Sequence, residues 1–161
     1  KKINAQGFDD TCFVFAGSGE TFNDIRKSVK GLSNVYLPGW LNGEEIATLL
    51  SVSYVGMVPC RSRPNTINNK PMQYLSFGLP LISSLEGEMT GIIDEYEIGF
   101  SYKPGDLEAL IQIVIRLIKD QSLRKKLSLN ANKVFAELFD ASQIYKNLGN
   151  HIEEIVELNL H

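Results

Sequence analysis

The stretch from residue 60 to residue 70 holds the densest group of side chains in this sequence that could bind an anion. Its cations and polar groups are Arg61, Arg63, Asn65, Thr66, Asn68, Asn69 and Lys70. A helix is predicted to follow, so its free N–H groups and the positive end of its dipole would lie beside the cations. Cations beside a helix N-terminus favour a phosphate or diphosphate, although an exposed polar loop with one capping Asn fits the spacing equally well.

Gln73 lies one turn inside that predicted helix, three residues after Lys70, so the two side chains can face the same space. Its amide could both donate to and accept from sugar hydroxyls. An exposed helix position is also common for Gln, and the residues alone favour that interpretation.

A glycine-rich turn, Gly17-Ser18-Gly19-Glu20, follows the first apolar run. It differs from a dinucleotide-binding fingerprint because Phe22 occupies the place of the third glycine, where close contact between helix and strand needs a small residue. Two interpretations are left: a close approach of backbone to another ligand, or a purely structural turn. Trp40 likewise could stack on a flat ring or pack at the start of the next helix.

The remaining reactive groups form no catalytic cluster. The acidic turn 86–88 could serve acid–base chemistry, but the two histidines, His151 and His161, lie in the C-terminal segment. Cys12 and Cys60 lack the spacing of metal ligands and lie in apolar stretches, so we expect both to be reduced and buried. We therefore predict no metal site and assign no catalytic residue.

Composition indicates one globular domain. The chain has 161 residues, of which 43% are hydrophobic and 22% charged. The net charge of -3 argues against nucleic acid as a partner. The apolar runs are too short or too interrupted to span a bilayer. The sequence begins Lys1-Lys2-Ile3, and we expect it to be a piece of a longer protein.

Short apolar runs alternate with helical spacing from residue 12 to residue 102. The predicted strands are 12–16, 35–37, 54–58, 81–83 and 99–102. Between them we predict helices at 22–29, at 44–50, from Asn69 to Gly78 and at 91–96, and three amphipathic helices follow residue 106. The first strand is expected to be buried on both faces.

This alternation with short connections predicts an α/β fold, an open and mostly parallel sheet with helices on both faces. Ligands bind such sheets beyond the carboxyl ends of the strands. The segments to consider are therefore 17–20, 38–43, 59–70 and 83–90. This location favours the anion site over the plain loop for residues 60–70.

Three stretches carry a family resemblance, namely 13–20 (FVFAGSGE), 34–40 (NVYLPGW) and 69–84 (NKPMQYLSFGLPLISS). They resemble the C-terminal domain of GT-B fold glycosyltransferases, in particular the group 1 (family 4-like) retaining enzymes that build bacterial capsule, O-antigen and other surface polysaccharides. The resemblance runs over nearly the whole chain. It implies a single Rossmann-like donor-binding domain over residues 1–161, taken from a longer two-domain protein and lacking the family's first strand.

In that family this domain binds the nucleotide-diphosphate sugar. The resemblance implies that the loop 39–42 faces the nucleobase and that residues 68–70 face the diphosphate. The family commonly has two glutamates separated by seven residues, and Asn65 and Gln73 occupy those positions here; Gln73 keeps an acceptor oxygen for the ribose, whereas Asn65 is shorter and neutral. The predicted donor-binding residues are therefore Gly17, Gly19, Gly39, Trp40, Asn65, Asn68, Asn69, Lys70 and Gln73.

The implied activity of the parent protein is hexosyl transfer, in which an acceptor hydroxyl replaces the nucleoside diphosphate on the anomeric carbon. GT-B enzymes generally work without a bound metal, so no cofactor is expected. The first strand, its two cations and the N-terminal acceptor domain would lie outside this chain, which we therefore expect to be inactive alone. Because family acceptors are often lipid-linked, we expect the parent in the cytoplasm, at the inner face of the membrane.

Three alternative functions make different demands on the sequence. A receiver-like signalling domain needs a phosphoacceptor Asp at the end of the third strand, where this chain has Pro59-Cys60. A non-catalytic GT-B homologue that acts as a binding module is supported by the loss of both glutamates. A sugar-nucleotide epimerase shares the architecture but would bring histidine to its cleft, and this part of the chain shows no such histidine.

Overall fold

A computed structural model describes residues 2–8, 10–60 and 69–159 of the chain. Its strands are β1 (Phe13–Ala16), β2 (Val35–Gly39), β3 (Gly56–Val58), β4 (Leu81–Ser83) and β5 (Gly99–Ser101). Its α-helices are α1 (Phe22–Ser28), α2 (Gly43–Ser51), α3 (Asn69–Ser76), α4 (Glu88–Glu95), α5 (Leu107–Lys119), α6 (Gln121–Val134) and α7 (Ala141–Asn159). A 3-10 turn (Asn4–Gln6) precedes β1, and a π-helical turn (Phe135–Phe139) continues α6.

The strands form two parallel sheets. In one, β1 pairs with β2, and in the other the order is β3-β4-β5. The predicted α/β class, with parallel strands flanked by helices, is confirmed. The chain also divides into two compact units: the first comprises β1, α1, β2, α2 and α5, and the second comprises the three-stranded sheet with α3, α4, α6 and α7.

A buried asparagine organises the start of the first unit. Asn34 is 4% exposed. Its side chain donates to the Thr11 carbonyl at 2.7 Å and to Asn4 Oδ1 at 3.0 Å, and its oxygen accepts from the Asn4 side chain at 2.9 Å. Its backbone carbonyl accepts from Phe13 N–H. These bonds hold the N-terminal turn and the starts of β1 and β2 together.

The expectation that the first strand is buried on both faces is wrong. Val14 and Phe15 are 40% and 45% exposed. In the described residues, β1 pairs with β2 alone, so it lacks the second strand neighbour of a central strand. The expectation that both cysteines are buried also fails, since Cys12 is exposed and Cys60 is half-buried.

The hydrophobic core of the second unit lies between its sheet and helices α3, α4 and α6. All of β4 is buried. The buried core residues are Val58, Leu75, Leu81, Leu85, Met89, Ile93, Ile98, Ala131 and Val134. Helix α6 is also tied to the turn between α4 and β5, because Lys126 pairs with the Glu97 carboxylate at 2.8 Å and Asn130 donates to the Glu97 carbonyl.

Two glycines allow close packing in this unit. An added Cβ at Gly99 would overlap the backbone of Leu81 in β4, and one at Gly56 would overlap the side chain of Tyr74 in α3. Neither position tolerates a larger residue unless strand or helix moves. The absence of a side chain at Gly99 thus allows β5 to lie close to β4, and its absence at Gly56 allows α3 to lie close to β3.

Helix α7 is amphipathic in sequence, but its apolar side chains are largely exposed. They include Ile144, Leu148, Ile152, Ile155 and Val156.

Among the helices that the structure describes, none has the combination of length and apolar character that a bilayer crossing needs.

Candidate functional site at the strand ends

The carboxyl ends of β1 and β2 bring two of the predicted glycines together. Because the strands run parallel, with Ala16 opposite Gly39, both end at the same edge of their sheet. Gly17 N–H donates to the Gly39 carbonyl at 2.6 Å. The two glycines have φ angles of +138° and +83°, which side chains rarely adopt.

The space beside these glycines is open. An added Cβ at Gly17, Gly19 or Gly39 would meet no atom within 4 Å. Steric crowding by the protein therefore does not explain why glycine occurs here, whereas the positive φ angles do at Gly17 and Gly39. The open backbone at this edge leaves room for a ligand to approach.

The loop after β2 has one exposed aromatic side chain and one helix cap. Trp40 is 72% exposed, so it does not pack at the start of α2 as one interpretation proposed. Asn42 caps α2: its side chain accepts from Glu45 N–H at 3.0 Å, and its own N–H donates to the Glu45 carboxylate at 2.8 Å. The cap occupies the Asn42 N–H, so a ligand at this loop would use other groups, such as the exposed indole of Trp40.

In the second unit, two serines fix the carboxyl ends of β3 and β4. Ser84 Oγ accepts from Cys60 N–H at 2.7 Å and donates to the Cys60 carbonyl at 3.1 Å. Ser83 Oγ accepts from Leu85 N–H at 3.1 Å. The chain thus leaves β3 at a defined point. Arg61, Arg63, Asn65 and Asn68 then lie outside the described residues.

Helix α3 presents the three remaining predicted residues to solvent. Asn69, Lys70 and Gln73 are exposed in its first half, whereas Pro71 and Leu75 are buried on the opposite side. Within the described residues, the Gln73 side chain has no hydrogen-bond partner. The backbone carbonyl of Gln73 accepts from Ser76 Oγ. A cation and two amides are thus close in sequence and exposed together on the first turns of α3.

Tyr74 anchors this helix from its buried side. Its ring packs where Gly56 begins β3, and burial raises the pKa of the Tyr74 hydroxyl above its ordinary value of 10.0. The position of Lys70 and Gln73 therefore depends on a contact that neither residue makes itself.

Across the residues that the structure describes, no three His, Cys, Asp or Glu side chains group as metal ligands would.

Sequence reasoning missed three features of these edges. The Asn42 capping box has a recognisable signal, an Asn followed three residues later by Glu before an apolar helix. The Ser84 bonds to Cys60 and the tight packing at Gly56 have no local signal, because their partners lie far away in the sequence.

Comparison with known proteins identifies the class of this fold. The sequence profile of the family described as "Glycosyl transferases group 1" matches residues 1–120. The O-antigen chain mannosyltransferase C of Escherichia coli is 27% identical over 141 residues, which is 84% of this chain and 38% of that protein. The sulfoquinovosyl transferase SQD2 of Arabidopsis thaliana is 28% identical over 115 residues, 70% of this chain and 22% of that protein.

Comparison with solved structures supports the same class of fold. The crystal structure of Anabaena Alr3699/HepE in complex with UDP has a TM-score of 0.74 at 16% identity, and the match covers 96% of this chain and 45% of that one. The fold is thus that of a GT-B glycosyltransferase domain. The chain belongs to group 1 of the glycosyl transferases. It spans 38% and 22% of the lengths of the two curated relatives.

Proposed function

We propose that this chain is the nucleotide-diphosphate-sugar binding domain of a glycosyltransferase of surface polysaccharide synthesis. The parent protein would transfer a hexosyl group from the donor to an acceptor hydroxyl held by an N-terminal domain. It would act in the cytoplasm, at the inner face of the membrane, without a bound metal. This chain by itself would bind the donor and not catalyse transfer.

The observation that carries the proposal is the arrangement of α3. Asn69, Lys70 and Gln73 are exposed on the first turns of a helix whose other side is buried against the core. The Lys70 ammonium and the helix N–H groups suit a diphosphate, and the Gln73 amide suits the hydroxyls of a ribose. Charge that develops on the departing diphosphate during transfer would be stabilised by the same groups.

The edge of the first unit supports a role for Gly17, Gly19, Gly39 and Trp40 in donor binding. Its backbone is open beside the three glycines, and the Trp40 indole is exposed. A flat aromatic ring of this kind can stack on a nucleobase. The similar structure of Anabaena Alr3699/HepE is a complex with UDP, which makes UDP the first nucleotide to test.

Calorimetric titration with UDP, GDP, ADP and UMP tests the proposal. We expect one diphosphate to bind, UMP to bind more weakly than UDP where UDP is that ligand, and Lys70→Ala and Gln73→Ala each to reduce the affinity. Lys125→Ala, an exposed cation on α6, is the matched control and should leave the affinity unchanged. Absence of binding by all four nucleotides, or equal affinities for wild type and Lys70→Ala, would contradict the proposal.

A further inference from the structure

Helix α1 and the turn after it carry positively charged side chains on one face. Arg26, Lys27 and Lys30 lie three, four and seven residues after Asn23, a spacing that places side chains on the same side of a helix. The Lys30 N–H donates to the Lys27 carbonyl at 3.3 Å, so the chain continues to wind beyond the end of α1. These four side chains line one hollow in the surface. We call the three cations the basic stripe.

The charge of the basic stripe is not neutralised within the part of the chain that the structure describes. Arg26, Lys27 and Lys30 are all exposed, and none of them pairs with a described carboxylate. Asp24, the acidic residue of α1, forms no ion pair with them either. Three exposed cations on one short face therefore remain available to an anionic partner.

The basic stripe lies away from the sheet edge that carries the predicted donor-binding glycines. Because β1 and β2 run parallel, the connection between them returns from the carboxyl end of β1 to the amino end of β2. Helix α1 makes this return, and the residues after Lys30 lead to Asn34, whose carbonyl accepts from Phe13 N–H at the start of β1. A partner bound at Lys30 thus leaves Gly17 and Gly39 free for a ligand.

Charge and apolar exposure together define the kind of partner. Ile25, which is 37% exposed, lies directly beside Arg26 in the sequence. A bilayer surface offers anionic head groups to cations and an apolar layer beneath them to a side chain such as Ile25. Domains that bind duplex nucleic acid carry a clear basic excess, whereas this chain has a net charge of -3. The combination favours an anionic lipid surface.

We infer that the basic stripe is a contact surface for a bilayer that contains anionic phospholipid. The inference rests on the proposed function, which includes a location of the parent protein at the inner face of the membrane, and it names the part of this chain that makes the contact. Three cations give a peripheral and reversible attachment. It weakens as salt is added, because salt shortens the range over which exposed charges attract one another.

Sedimentation of the 161-residue chain with lipid vesicles tests the inference. We expect binding at low ionic strength to vesicles of phosphatidylglycerol mixed with phosphatidylcholine, release on addition of salt, and no binding to vesicles of phosphatidylcholine alone. Lys27→Glu and Lys30→Glu should each weaken binding about fivefold or more, since one Lys or Arg near an anionic surface contributes about that factor. Lys125→Glu on α6 changes the net charge equally and is the matched control, which should bind nearly as the wild type does.

Thermal unfolding separates membrane contact from a structural role of the cations. Arg26 and Lys27 lie in the last turn of α1, where cations also stabilise a helix through its dipole. Lys30 lies beyond that turn, so Lys30→Gln should weaken vesicle binding and leave the unfolding midpoint unchanged. Vesicle binding that Lys30→Gln and Lys30→Glu leave unchanged would overturn the inference.

Two further results would also overturn it: equal binding to vesicles with and without phosphatidylglycerol, and tighter binding to a short DNA duplex than to the mixed vesicles at the same ionic strength. The test is independent of the nucleotide titrations. Lys30→Glu should bind the nucleoside diphosphate as the wild type does, because the basic stripe shares no residue with the donor-binding set. Loss of vesicle binding with intact nucleotide binding would therefore contradict the membrane contact alone, and the reverse would contradict the donor site alone.

Discussion

Replacement of Gly56 by Ala should displace helix α3 and destabilise the protein. An added Cβ at Gly56 would lie 2.7 Å from Tyr74 Cβ, whereas ordinary contacts are 3.4–4 Å long. This contact must therefore lengthen by at least 0.3 Å, from 2.7 to 3.0 Å, and by 0.7 Å to reach an ordinary 3.4 Å. Because Leu75 beside Tyr74 is fully buried, the helix cannot rotate freely to absorb this change.

We expect Gly56→Ala to lower the free energy of unfolding by about 1–3 kcal/mol, which is usual for overpacking. In a chain of this size each kcal/mol corresponds to about 2–4 °C in the unfolding midpoint. Lys70 and Gln73 are carried by the same helix, and small displacements of binding groups weaken ligand contacts considerably. Nucleoside diphosphate affinity should therefore fall as well, although Gly56 contacts no ligand in the proposed site.

A double-mutant cycle, measured by urea unfolding, tests whether contact with the Tyr74 side chain causes this loss of stability. In the Tyr74→Ala background the two nearest atoms, Cγ and Cδ2 of the ring, are absent and only the contact with the residue 74 Cβ is kept, so Gly56→Ala should cost less than in the wild type, and the difference is the coupling energy. Gly91→Ala is the matched control, since a Cβ there meets nothing within 4 Å and should stabilise α4 by up to about 1 kcal/mol. An equal cost of Gly56→Ala with and without the Tyr74 ring would refute the reasoning.

Three further predictions concern stability. Asn34→Ala should lower the free energy of unfolding by about 2–3 kcal/mol, because it removes three hydrogen bonds and leaves their half-buried partners on Asn4 and Thr11 unpaired; urea unfolding measures this. Asn42→Ala removes the cap of α2 and should cost about 1 kcal/mol, and an unchanged midpoint would show that Glu45 alone stabilises the helix end. Burial raises the pKa of Tyr74, so the native state keeps this proton where the unfolded chain has lost it. The contribution of this proton to the free energy of unfolding is therefore fully present below the unfolded pKa near 10.0 and is lost as the pH rises above it. Tyr74→Phe should reduce that alkaline loss of stability, as measured by urea unfolding at several pH values.

Helix α3 shows what the sequence could predict. Pro71 in the first turn and Gly78 after the last predicted its bounds, and the helix runs from Asn69 to Ser76, followed by Gly78 at a φ of +65°. Such signals are local, because each residue restricts its own backbone. The alternation of strands and helices, and with it the fold class, follows from the same kind of signal.

Burial and close packing could not be predicted in this way. The apolar run at β1 is typical of a buried strand, but exposure of Val14 and Phe15 depends on which strands lie beside it. Helix α4 begins at Glu88, three residues earlier than predicted, because Gly87 at a φ of +85° starts it without a capping side chain. The need for glycine at position 99 comes from Leu81 in a neighbouring strand.

For the candidate site, the sequence predicted which loops to consider. The structure brings Gly17 and Gly39 into hydrogen-bond contact and exposes Lys70 and Gln73 on one helix. The sequence allows two interpretations of Trp40, ring stacking or packing at the start of α2, and its exposure removes the second. The roles of all these residues in donor binding stay predictions until the titrations are made.

The membership of α5 in the first unit has a consequence for synthesis. The ribosome releases β1, α1, β2 and α2 first, yet the last helix of that unit emerges only after the whole three-stranded sheet of the second unit. The first four elements of this unit must therefore wait, without their last helix, until residue 119 or so has left the exit tunnel. A nascent chain arrested before α5 would therefore hold a complete strand pair but an incomplete first unit.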